Sequence, residues 1–86
     1  MSETTSQELP PIDFTTFVVS IGSSVMMYLD RSSAAGDADH TLARQNIDIL
    51  VMLEEKTRGN LTEDERKLLS GILYQARMAF VEGGAR

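Results

Sequence analysis

The residues that could perform acid–base chemistry are few: Asp13, His40, Asp48, Tyr74 and Arg77. A general acid or base must lie within hydrogen-bond reach of the group it serves, so an active site would need these residues to converge in one cleft. Asp48 falls on the charged side of its helix, where a carboxylate stays solvated, and His40 stands beside Asp39 at the edge of a helix start. Ser20, Ser23 and Ser24 could act as nucleophiles, yet no histidine shares their helix to take the proton. Glu63, Asp64 and Glu65 could offer oxygen ligands to a cation. Directly after Thr62, however, three acids are what a first helical turn favours, because its free amides carry partial positive charge. Gly22 and Gly59 are isolated, and the segment KTRGN has the spacing of neither a dinucleotide fingerprint nor a phosphate loop. The chain has no Cys, which excludes disulfides and thiolate metal sites, and its single His excludes a histidine-rich one. No catalytic residue, metal or cofactor is expected, and the chain does not read as an enzyme.

The elements that would hold such residues are helices. Sixteen consecutive residues, Phe14 to Leu29, carry no charge, whereas the whole 86-residue chain is 24% charged with a net charge of −5. That balance argues against nucleic acid, which requires a basic stripe. Glu3 and Glu8 precede the apolar run where a secretory signal would carry basic residues, so the expected compartment is the cytoplasm. As a helix the run would be about 24 Å long, short of the ~30 Å hydrocarbon core of a bilayer.

Start and stop signals divide the chain. Residues 1–11 read as an arm ended by Pro10 and Pro11, residues 12–82 as one helical domain, and residues 83–86 as a frayed tail. Asp13 is a candidate N-cap for a first helix over about Phe14–Leu29. The small polar stretch DRSSAAGDAD, Asp30–Asp39, reads as a loop, with Asp39 or Thr41 capping a second helix that runs to about Thr57. Gly59 suits a left-handed C-cap, Thr62 and Glu65 form a capping box, and the third helix continues to about Glu82 with Gly83 as its C-cap. The RGNLT connection is short enough to make the second and third helices antiparallel neighbours.

Helical periodicity assigns a core arc to each helix. These are Phe14, Phe17, Val18, Ile21, Val25, Tyr28 and Leu29; then Leu42, Ala43, Ile47, Ile49, Leu50, Val51 and Leu53; then Leu68, Leu69, Ile72, Leu73, Ala76, Ala79 and Phe80. The first helix has a second uncharged face of Thr15, Val19, Gly22, Ser23 and Met26, which would let another helix approach closely. Asn46 intrudes on the apolar arc of the second helix and needs a hydrogen-bond partner, either a backbone carbonyl or its counterpart across a two-fold axis. Tyr74, Met78 and Val81 make a narrow apolar stripe opposite the core arc of the third helix, a candidate partner surface.

The segments PPIDFTTFVVSIGSSVMMYL, IDILVMLEEKTRGNLTEDE and LLSGILYQARMAF together resemble a family of small bacterial proteins known as a domain of unknown function. The likeness extends from Pro10 to Val81, and it implies a small helical protein of bacterial, cytoplasmic origin. It implies no catalytic residue.

The expected fold is therefore all-α: an apolar first helix packed on an antiparallel helical hairpin, completed by oligomerisation. The expected function is a self-associating protein-interaction module, a dimer by preference, with Val19, Gly22, Ser23, Met26 and Asn46 at the self-association surface. A further protein partner is the role foreseen for Tyr74, Met78 and Val81. The alternatives are a protein whose first helix associates with a membrane, and a bundle that holds an apolar ligand.

Overall fold

A computed structural model of the chain describes residues 11–35 and 37–84. Among them are three α-helices and no strand: α1 (Phe14–Ala35), α2 (Asp37–Lys56) and α3 (Glu63–Gly84). The all-α, three-helix architecture expected from periodicity is what the chain adopts. The expected arm lies, apart from Pro11, outside the described residues.

Helices α1 and α3 begin where their capping chemistry places them. The Asp13 carboxylate accepts from the Thr16 amide at 2.8 Å, and the Phe17 amide donates to the Asp13 carbonyl at 3.0 Å, so α1 starts as the N-cap predicts. At α3 the box closes in both directions: the Thr62 amide donates to Glu65 Oε1 at 2.9 Å, and the Glu65 amide donates to Thr62 Oγ1 at 3.1 Å. Between α2 and α3, Gly59 takes φ = +86°, a left-handed conformation that costs a residue with a Cβ far more than glycine.

The expected loop at Asp30–Asp39 is not there. Helix α1 continues to Ala35 and α2 begins at Asp37, with Gly36 outside the described residues. Asp39 and Thr41 therefore lie inside α2 rather than at the N-cap position before it. The stretch contains no proline, and Ala34, Ala35 and Ala38 favour helix, so a composition that resembles a turn is absorbed into two helix ends. Helix α3 likewise runs past Glu82 to Gly84, and Gly83 is a helical residue rather than a C-cap.

The helices run up, down and up. Helix α2 folds back along α1, its most extensive contact, and α3 packs against both. His40 near the start of α2 stacks on Phe80 near the end of α3, with ring centroids 4.3 Å apart, as antiparallel neighbours require. Helices α1 and α3 are consequently parallel. Each helix gives three residues to the buried core: Val18, Ile21 and Val25; Ala43, Ile47 and Leu50; Leu69, Leu73 and Ala76. These lie at i, i+3 or i+4, and i+7, the spacing of one helical face. Phe14, Tyr28, Leu29, Ile49, Val51, Leu53, Ile72 and Phe80 pack around them, half-buried. Phe17 and Leu42, expected in the core, are exposed instead, because both sit at the margins of their arcs.

Candidate functional site

The candidate acid–base residues do not converge. Asp13 stands at the start of α1 and His40 at the start of α2, which are opposite ends of an up–down pair. Asp48, Tyr74 and Arg77 are exposed on α2 and α3. The acids at Glu63–Glu65 serve their own helix: Arg66 forks onto the Glu63 carboxylate, and Glu65 closes the capping box. The hydrogen bond and charge of Arg66 hold the Glu63 carboxyl below the usual carboxylate range, and the Thr16 amide does the same for Asp13. Among the described residues no three His, Cys, Asp or Glu side chains are placed to hold a metal ion.

What the fold leaves conspicuous is the outer face of α1. Val19 and Met26 keep 39% and 42% of their surface exposed, and Ser23 between them is exposed as well. Met27 and Thr16 extend the same uncharged surface. Two serines on the flank of α1 are turned inward on their own helix: Ser20 Oγ donates to the Phe17 carbonyl at 2.7 Å and Ser24 Oγ to the Ser20 carbonyl at 3.1 Å. Such back-bonding satisfies the hydroxyl proton within the helix.

Gly22 requires a correction, because it does not belong to that face. It is buried, and a Cβ built there would meet Ile72 Cγ2 at 2.6 Å. The absent side chain is what lets α1 and α3 of the same chain approach, so the small residue serves an internal crossing rather than one with a second subunit. The Asn46 amide is also used within the chain: Nδ2 donates to the Leu42 carbonyl one turn earlier at 2.9 Å, and the residue is half-buried. This is the contact of the backbone-carbonyl alternative.

On α3, Tyr74, Met78 and Val81 are exposed by 65%, 43% and 65%, as their spacing predicts. A feature that periodicity could not reveal is a cavity of about 370 Å³ beside the α2–α3 turn, where Arg58 and Glu54 rim a floor that includes Leu61 and Leu69. Its lining comes from both sides of the turn, so only the folded connection brings it together. No helix among the described residues is long and apolar enough to cross a membrane.

Three short-linked helices, a nine-residue apolar core and an uncharged outer face on α1, all among the described residues, define a small all-α protein of the helical-bundle kind. The chain belongs to the family described as Domain of unknown function (DUF1844), whose model matches residues 11–82. That span takes in every described helix almost to the end of α3, in agreement with the resemblance carried by the opening, hairpin and closing segments. No curated protein matches the chain, and no solved structure does.

Proposed function

We propose that this protein is a self-associating helical module that binds protein rather than transforming a substrate, acting in the bacterial cytoplasm. The observation that carries the reading is the outer face of α1, where Val19 and Met26 stay exposed on a helix with no charge from Phe14 to Leu29. Isolated exposed apolar residues are ordinary, but an uncharged surface four turns long is a contact surface in search of cover. A domain of this size without disulfides commonly gains stability by assembling. Sedimentation of the parent chain at tens of micromolar tests it: a species of about twice the 9.5 kDa chain mass is expected, and Val19→Lys, which sets a charge in the contact, should return it to the monomer. A parent that remains monomeric refutes the reading.

A further inference from the structure

The Gly22–Ile72 contact fixes how α1 and α3 are turned, and with it what stands on their shared outer face. A helix advances about 100° per residue, so Met26 and Val19 lie about 40° and 60° beyond Gly22, on the side away from the core. On α3 the same progression outward from Ile72 passes Leu68 and Gln75 and reaches Gly71 and Met78. Because α1 and α3 are parallel, these residues fall within about 15 Å along the bundle and line a groove floored by the close crossing of Gly22 and Ile72. None of the six is charged. Acids stand only at its ends, Asp64 at one, Asp30 and Glu82 at the other.

Gly71 is the telling residue. It sits in the interior of α3, exposed, and a Cβ added there would meet nothing within 4 Å. A glycine inside a helix is destabilising relative to alanine, and nothing within the chain requires one here. A backbone approaching from outside would.

We infer that the α1–α3 groove is the seat of a second copy of this chain, packed about a two-fold axis so that each α1 lies over the α3 of its partner. This deepens the self-association reading and rests on it. The face carries both the protruding side chains, Val19, Met26 and Met78, and the notch at Gly71. A two-fold axis sets one against the other, so the surface complements itself. Two helices, each about 10 Å across and presented for about 15 Å, project a footprint on the order of 300 Å² per partner, the size of a small, weak interface rather than the ~800 Å² of a standard one.

The test is sedimentation equilibrium of the full chain from 1 to about 100 µM, with far-UV circular dichroism to confirm that each variant keeps its helices. The parent should be dimeric. Gly71→Leu, which fills open space in the monomer, and Met78→Glu should each raise the dimer dissociation constant about tenfold or more. Met52→Glu, which alters an exposed methionine on α2 pointing away from this groove, should leave the dimer intact. A parent that stays monomeric at 100 µM overturns both this inference and the self-association reading. A dimer dissolved by Val19→Lys but not by Gly71→Leu or Met78→Glu overturns the groove alone, and so does one that Met52→Glu weakens equally.

Discussion

Replacing Gly22 by alanine should destabilise the protein, even though the same change inside a helix ordinarily helps. The added Cβ would sit 2.6 Å from Ile72 Cγ2, against a normal contact of roughly 3.5–4.0 Å between carbon atoms. Either α1 and α3 separate by about 1 Å or Ile72 leaves its rotamer, which is stiff because the side chain is branched at Cβ. Overpacking of this kind costs about 1–3 kcal/mol, while exchanging glycine for alanine in a helix returns roughly 0.5–1 kcal/mol. The net expectation is a loss of about 1–2 kcal/mol. In a domain of this size each kcal/mol moves the melting temperature by about 4–8 °C, so Tm should fall by roughly 4–16 °C. Thermal unfolding followed by circular dichroism reads the change, and a double-mutant cycle assigns it. In an Ile72→Ala background the obstructing methyl is gone, and Gly22→Ala should become neutral or stabilising. An unchanged or higher Tm for Gly22→Ala alone would refute the close crossing, and with it the orientation of α1 on α3.

Gly71→Ala is the counterpart with the opposite sign: measured in protein dilute enough to be dissociated, it should raise stability by about 0.5–1 kcal/mol, because nothing obstructs the new Cβ. Thr62→Ala removes the acceptor for the Glu65 amide and should cost about 0.5–2 kcal/mol in urea denaturation. Gly59→Ala meets no neighbour but forces a residue with a Cβ to φ = +86°, so its cost, about 1–2 kcal/mol, should come from the backbone alone. Asp13 and Glu63 are both held below the usual carboxylate range, by the Thr16 amide and by Arg66 respectively. Their stabilising contribution should be complete above the ordinary carboxylate pKa of about 4 and be lost as pH falls through the depressed values. NMR titration reads the two groups directly, and Asp13→Asn should remove its share of the acid sensitivity.

Local chemistry was the most legible part of this chain. Asp13, Gly59, and Thr62 with Glu65 act through hydrogen bonds or backbone angles a few residues away, and all perform the roles that their types and spacing predict. The three core triplets followed from periodicity because burial on a helix is a matter of angle. Where two helix ends meet, composition misled: Asp30 to Asp39 is rich in small polar residues, and its alanines outweigh them. Gly22 was misread for a different reason. A helical wheel gives an angle but not the neighbour that fills it, and Gly22 stands at the edge of the core arc, where Ile72 decides its side. Asn46 had two admissible partners in sequence, and within the chain its amide donates to the Leu42 carbonyl.

The up–down–up path has a kinetic consequence. Helices α1 and α2 are joined across one residue and α2 and α3 across six, 57–62, so most packing links chain segments that are close in sequence. Such topologies fold in microseconds to milliseconds, since little loop-closure entropy is lost before contacts form. The packing of α1 on α3, closest at Gly22 and Ile72, instead joins residues about fifty positions apart. It can form only after the two turns have brought α1 and α3 together. Substitutions there should mainly accelerate unfolding and leave the folding rate nearly untouched, whereas changes in the α2–α3 turn should slow folding itself.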